Sequence, residues 1–402
     1  MWTGSSGADK FVDVIALPAD PDTAVTVSKR TLAIFIAGDL PVGQVWLAPG
    51  ASTGLPSDIV DRVARRGASR PQPLRRPTTS LVVCTRDRPE ELRRCLASLA
   101  GQSMPADEII VVDNASKGPQ TRRVAESAGV TYVREDRPGL DFARNSGVLA
   151  STGEIILYAD DDTEIHPRWI ENVVAAFDRP DVAAVTGLVL PATLITEAQW
   201  LFERDWSFGR GYDRIDYDRD FYRSTRRRGC PAWTVGAGAN MAFRRSVFDQ
   251  IGLFDERLDV GQAGCSGDSE YWYRILAAGL TCRYEPTAVV WHHHRLTIDG
   301  LKSQIFHYLR GHTAALMVQY ERTGDIGNLY RAFFAMPRYY LGGYVKRLLR
   351  GVTPNTRFLG QQVSGAISGL VFYARTPRSA RGEGRPPQEV MSGAARTARR
   401  AA

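Results

Sequence analysis

The chain has 402 residues, 44% apolar and 24% charged, enough for a large buried core and against wholesale disorder. Its five cysteines, Cys84, Cys95, Cys230, Cys265 and Cys282, are scattered and never closely paired; this excludes a cysteine zinc site and fits reduced thiols in a cytosolic setting. The formal charge of +7 gathers at one end, because residues 331–402 hold 13 Arg or Lys against only Glu383 and Glu389.

In chain order, residues 11–66 read as a small β-rich unit, with strands near 11–16, 31–37 and 43–48 and a helix over 57–66. Gly and Pro turn chemistry between Asp39 and Gly43 predicts a hairpin. Residues 68–77, with three prolines and three arginines, read as an extended linker. From Ser80 short β-branched runs alternate with amphipathic segments. Strands are expected at 81–84, 108–112, 130–133, 154–159 and 182–189, and helices at 89–100, 120–128, 142–150 and 167–177. That alternation implies parallel strands with crossover helices, whose ligands gather beyond the carboxyl ends of the strands. Polar groups stand at three such ends: Thr85-Arg86-Asp87, Asp113-Asn114 and Asp160-Asp161-Asp162. The aromatic and charged stretch 200–228 reads as a long surface excursion. Regularity returns at 233–244, then a helix at 269–278, a strand at 282–284 and an apolar run at 288–291. Beyond Arg295 the pattern is helical and aromatic, and after Arg375 it is rich in Arg, Gly, Pro and Ala, a disordered composition.

Three consecutive carboxylates after an apolar strand repel one another, so something positive must compensate them. A divalent cation, magnesium or manganese, is the economical candidate; an acidic turn capping the next helix is the plainer alternative.

Five motifs in order carry a resemblance: SLVVCTRDRP from Ser80, VVDNAS from Val111, GLDFARNSG from Gly139, YADDDT from Tyr158 and GAGANMAFR from Gly236. Residues 80 to about 295 resemble family 2 glycosyltransferases. The resemblance implies a GT-A fold, a Rossmann-like mixed sheet flanked by helices, here with the small N-terminal β-rich unit and a helical C-terminal extension. It also implies inverting transfer from a nucleotide-diphospho-sugar, with a UDP-sugar the first expectation, to a glycan, lipid-linked or other hydroxyl acceptor in cell-surface polysaccharide or glycoconjugate synthesis.

Carried over residue by residue, the resemblance puts Thr85, Arg86, Asp113, Asn114 and Arg144 at the nucleotide. It puts Asp162 at the metal, with Asp160 and Asp161 nearer the ribose and cation, and Gly238 and Asn240 beside the donor sugar. Asp268, in GCSGDSEYWYR from Gly264, matches the catalytic base. The family more often shows Glu-Asp and a second acid two residues on, so Gly267 is a departure that keeps Glu270 as the alternative base. A histidine near the metal is expected within Trp291-His292-His293-His294-Arg295, with His292 preferred and His294 next. Trp200, Trp206, Tyr212 and Trp233 are candidates for stacking on acceptor sugars.

The implied division is 1–77, an accessory unit and linker; 78–298, the catalytic domain; 299–374, a helical extension; and 375–402, a basic tail. No run of about 18 apolar residues predicts a spanning helix, and no signal peptide is evident, which places the chain in the cytoplasm. Aromatics and cations at 330–350 leave two options, contact with the inner membrane face or packing on the catalytic domain. No nucleic acid partner is expected. A nucleotidyltransferase is disfavoured by the lack of a lysine-bearing glycine loop after Cys84, and a dinucleotide oxidoreductase by the lack of Gly-x-Gly-x-x-Gly. A non-catalytic carbohydrate-binding protein is disfavoured by the presence of Asp162, Asp268 and Arg144 together.

Overall fold

The computed structural model describes residues 4–5, 11–66, 76–353 and 356–376. The linker at 68–77 and the tail after Arg375 lie outside the described residues except at Arg76, Pro77 and Thr376.

The N-terminal segment forms β1 (Gly4–Ser5), β2 (Asp13–Pro18), β3 (Ala24–Thr26), β4 (Thr31–Ala37), β5 (Leu40–Leu47), β6 (Ser52–Gly54) and α1 (Ser57–Arg66). Strands β1, β2, β4 and β5 make one sheet in that order, and β3 pairs with β6. The hairpin forms, but its turn is tighter than the sequence suggests. Ala37 pairs with Leu40, and Gly38 takes the left-handed φ of +67°, while Pro41 and Gly43 enter β5 at a bulge opposite Ile36 and Phe35. The unit does not pack separately. Val12, Val14, Leu32 and Ile34 are fully buried in the same apolar cluster as the large sheet, and Val12 N donates to Leu194 O at 2.9 Å.

The large sheet begins with β7 (Thr79–Thr85), α2 (Pro89–Leu99), β8 (Glu108–Asn114), α3 (Gln120–Ser127), β9 (Thr131–Glu135), α4 (Leu140–Ala150) and β10 (Ile155–Asp160). It continues with β11 (Thr163–Ile165), α5 (Trp169–Ala176), β12 (Val182–Pro191), α6 (Glu197–Trp206), β13 (Ile215–Tyr217), α7 (Arg219–Thr225), β14 (Asn240–Arg244), α8 (Arg245–Ile251), α9 (Gly267–Ala277) and β15 (Thr281–His292). The order is β11-β15-β12-β14-β10-β7-β8-β9, with β13 against β15. The parallel reading holds for β10, β7, β8 and β9, and again for β12 with β15; β14 runs antiparallel between the two sets, giving a mixed sheet. Helices cover both faces, which is why β12 and β15 are buried along their whole lengths.

Two expected apolar runs merge into β15 because a bulge absorbs the proline between them. Pro286 has no N–H to give the ladder, and the register jumps from Gly187 opposite Glu285 to Leu188 opposite Val289. Asn240 closes the gap: its Nδ2 lies 3.1 Å from Leu188 O and 2.8 Å from Ala288 O, while Trp169 Nε1 donates to its Oδ1 at 2.8 Å.

The stretch 200–228 is more ordered than its composition suggests. Thr196 and Gln199 form a reciprocal capping box that starts α6. The C-terminal part comprises α10 (Ile298–Thr323), α11 (Ile326–Tyr330), a π-helical turn, α12 (Met336–Arg350) and α13 (Leu359–Arg375). α13 lies close on α10 because Gly365 and Gly369 bring their backbone against Phe306 O and Arg310 O.

Candidate active site

A cavity of about 1420 Å³ opens beyond the carboxyl ends of β7, β8 and β10, where the strand order predicts it. Thr85, Arg86, Asn114, Arg144, Asp160, Asp161, Asp162, Gly238, Asp268 and His292 all line it. The four non-glycine residues with left-handed backbone among the described residues, Asp87, Ala115, Asp259 and Ser266, sit in the loops around it. Each such residue is strained by roughly 1 kcal/mol or more, and such strain gathers where loops hold a site in shape.

Within the triplet Asp161 and Asp162 share one counter-charge, Arg88. Arg88 Nη1 lies 2.9 Å from Asp161 Oδ1 and 3.0 Å from Asp162 Oδ2, and Thr85 Oγ1 donates to Asp161 Oδ2 at 2.7 Å. The compensation expected of a cation alone is therefore shared with Arg88, a residue whose part the motifs did not reveal. Burial and the neighbouring Asp162 push the Asp160 carboxyl up to about 7 and Asp161 to about 6. Burial also opposes ionisation of Asp162, but His292 in its protonated form, together with Arg88, outweighs it and holds that carboxyl well below the usual range.

His292 Nε2 stands 3.3 Å from Asp162 Oδ1, and Asp160, Asp162 and His292 offer ligand atoms that all lie within 4.8 Å of one another. Behind them His292 Nδ1 faces His294 Nδ1 at 2.9 Å, and His294 Nε2 faces the buried Glu203 Oε2 at 3.0 Å. With Glu203 ionised, His294 donates from Nε2 and accepts at Nδ1 from His292. That leaves the His292 Nε2 lone pair aimed at Asp162 Oδ1, a buried oxygen with no hydrogen-bond partner. Two acceptors facing each other need a cation or a proton between them, and two carboxylates with one imidazole are donors suited to magnesium or manganese. The residues present therefore fit a divalent cation.

Asp268 and Arg144 meet at Gly238. A Cβ there would lie 2.9 Å from Asp268 Oδ2 and 2.8 Å from Arg144 Nη2. Asp268 Oδ1 accepts from Ser269 N at 2.6 Å and Ser269 Oγ at 3.1 Å, so Oδ2 is the oxygen left for the cavity. Burial and the nearby Asp259 raise its carboxyl, with Arg144 opposing. Arg144 Nη1 is held by Asp141 at 2.8 Å and Asp259 at 2.6 Å, two acids that sequence reasoning missed.

Four expected site residues do not reach the cavity. Asp113 is buried and outside the cavity lining, where it accepts from Tyr132 OH at 2.8 Å, Arg134 Nη1 at 3.1 Å and Ser116 N at 3.0 Å. Asn240 is the latch of the β15 bulge. Glu270 is fully buried with Arg274 Nε 2.9 Å away and Arg322 Nε 3.5 Å away, which removes it as a base. His294 stands behind His292 and does not join the ligand cluster. Of the aromatics, Trp206 and Trp233 line the cavity, whereas Trp200 packs under Arg30 and Tyr212 bonds Gln44.

Part of the cavity wall is basic. Arg210, Arg310 and Arg331 line it with no carboxylate within ion-pair distance among the described residues, and Arg210 Nε and Arg310 Nε are buried without a hydrogen-bond partner. Burial lowers all three guanidiniums, Arg331 to about 10.

Residues 80–252 match the model of glycosyl transferase family 2. The O-antigen biosynthesis protein RfbC of Myxococcus xanthus is 28% identical over 211 residues, 51% of this chain and 16% of that protein. The glucosyl-dolichyl phosphate glucuronosyltransferase of Haloferax volcanii is 28% identical over 190 residues, 44% of this chain and 55% of that one. Glycosyltransferase AglE of Haloferax volcanii is 23% identical over 299 residues, 72% of this chain and 89% of that one. The chain thus spans well under two thirds of the first two relatives. Among solved structures, a mannosyltransferase from Pyrobaculum calidifontis in complex with GDP-Man and Mn2+ superposes with a TM-score of 0.50 at 19% identity, covering 75% of this chain and 89% of that one. Over residues 80–252 the chain thus matches a family 2 glycosyltransferase domain, and its mixed sheet between helices has the GT-A fold.

Proposed function

We propose that the cavity binds a nucleotide-diphospho-sugar with a magnesium or manganese ion and transfers the sugar, with inversion, to a hydroxyl acceptor. The observation that carries this is the convergence of Asp160, Asp162 and His292 in the same cavity that Asp268 Oδ2 faces across Gly238. Asp160, Asp162 and His292 are the residues that hold the cation. When bound, it offsets the charge that develops on the departing diphosphate. Asp268 takes the proton of the acceptor hydroxyl as that oxygen attacks the anomeric carbon; the sugar–phosphate bond breaks and its electron pair leaves with the nucleoside diphosphate. Arg144, Arg86 and Asn114 orient the nucleotide end. With Asp113 outside the cavity lining, a preference for a UDP-sugar rests on the family resemblance alone.

The basic wall of Arg210, Arg310 and Arg331 favours an acceptor that bears a phosphate, as a lipid-linked glycan does. The names of the relatives, in O-antigen synthesis and in transfer to a glucosyl-dolichyl phosphate, agree with that class.

The test is a donor screen by thermal shift with manganese, followed by two variants. Asp162→Ala is expected to lose metal-dependent donor binding. Asp268→Asn is expected to keep binding and stop transfer, and full turnover in Asp268→Asn would refute its role as base.

A further inference from the structure

Most of the large apolar side chains exposed among the described residues lie in one segment, 326–352. Its outward face inverts the usual order of a surface helix. Along α12, Leu341, Val345 and Leu348 follow one another at helical spacing on the solvent side, and Leu348 is 86% exposed. Tyr330 and Phe334, stacked with ring centroids 6.1 Å apart, extend the stripe towards α11. Only the opposite edge, with Met336 and Tyr340, packs on the protein, against the cluster of Leu316 and Leu359. The option that the aromatic face covers the catalytic domain is thus not what the fold does. An apolar patch of this extent on a water-facing helix needs an occupant.

Charge identifies the occupant. Residues 326–353 contain Arg331, Arg338, Lys346, Arg347 and Arg350 and no acid. A second copy of the same face repels the first. The Arg-rich residues 377–402 carry the same sign and few apolar side chains. No described helix is long and apolar enough to cross a membrane. An apolar stripe flanked by cations on a helix that does not span matches the interfacial layer of an anionic bilayer.

The geometry points to an anionic phospholipid bilayer as the surface on which the outward face of 326–352 docks. The same segment walls the cavity through Arg331, Met336, Tyr339 and Tyr340, so docking sets the cavity beside the headgroup layer. A lipid-anchored acceptor then reaches the basic wall along α12; this last step rests on the glycosyltransferase reading, whereas docking itself does not.

The test is co-sedimentation of the full chain with vesicles of phosphatidylcholine alone and of phosphatidylcholine with phosphatidylglycerol. Binding is expected to the second vesicle only and to weaken as salt is raised. Leu341→Glu/Leu348→Glu is expected to lower it by at least ~10-fold, since both apolar anchors are lost. Both residues are exposed, so an unchanged melting temperature is expected to show that the variant folds. Lys346→Glu/Arg350→Glu, which keeps the apolar stripe, is expected to lose the preference for anionic vesicles. Wild-type chain left in the supernatant with both vesicles overturns the proposal. So does a leucine variant that binds like wild type, or one that turns a dimer into a monomer in light scattering while vesicle binding stays the same. Manganese-dependent donor binding, measured without vesicles, is expected to be unchanged in both variants. Its absence from the wild type would sink the glycosyltransferase reading and leave docking standing.

Discussion

The carboxylate of Glu203 lies 3.0 Å from Nε2 of His294, with both side chains 2% exposed, and so sets the tautomer of two histidines in series. The last nitrogen of the series, His292 Nε2, is thereby presented to Asp162 as an acceptor. Partners of this kind behind a metal ligand typically contribute ~10- to 100-fold in affinity. Glu203→Ala is expected to weaken manganese binding to the free protein by about 10-fold or more, and Glu203→Gln by less, because an amide oxygen still accepts from His294. Titration of the protein against the electron paramagnetic resonance signal of free manganese checks both. Equal affinity in Glu203→Ala and wild type would remove His292 from the ligand set.

Arg88 gives a second, separable prediction. It is the protein's own counter-charge for Asp161 and Asp162, and its side chain is 31% exposed against 7% for Asp161. Breaking a buried pair by removing one partner costs about 3–5 kcal/mol, and the partial exposure here brings the expectation for Arg88→Met to about 2–3 kcal/mol. If a cation shares the site, manganese should restore part of that loss. Chemical denaturation with manganese or with chelator measures both terms, and a variant that gains no more from manganese than wild type would show that Arg88 and the cation do not share these carboxylates.

Gly238 is the third. No side chain fits there without displacing Arg144 Nη2 and Asp268 Oδ2, both under 3 Å from the point a Cβ would occupy. Gly238→Ala is expected to lower kcat by about 100-fold, the order of effect that a misplacement near 1 Å produces, while leaving the melting temperature nearly unchanged. Steady-state kinetics beside a thermal melt test it; a variant with full kcat would mean that the two groups do not act at that point.

Much of this site was legible from local pattern. Strand ends that carry Thr85, Asn114 and the aspartate triplet follow from alternating apolar runs, and the sheet geometry delivers them to one cavity. What was illegible depends on partners distant in sequence. Asp113 looks free until β9 brings Tyr132 and Arg134 alongside it. Asn240 resembles a donor contact until Pro286, 46 residues on, makes a bulge that its side-chain amide closes. Glu203 stands 91 residues before His294, inside a stretch read as irregular. One signal there was available, since Thr196 and Gln199 at capping-box spacing announce the helix that carries Glu203.

Asp268 and Glu270 share the first turn of α9, where either acid suits the helix N-terminus, yet their surroundings divide their roles. Asp268 Oδ2 faces the cavity, and Glu270 is locked to Arg274 at 2.9 Å behind it. Glu270→Gln is therefore expected to cost stability, about 3 kcal/mol from a broken buried pair, with kcat within a few-fold of wild type. As the proposed base, Asp268 would act in its ionised form. Because burial and Asp259 raise its carboxyl, the acidic limb of kcat/KM is expected above the ordinary range of an aspartate, with activity lost as pH falls through that raised value. Asp259→Asn removes the like charge and is expected to move that limb to lower pH. A profile measured over pH 4 to 8, roughly the span between a free carboxylate and neutrality, decides the matter. A limb that stays in place in Asp259→Asn but shifts in Glu270→Gln would return the base to Glu270.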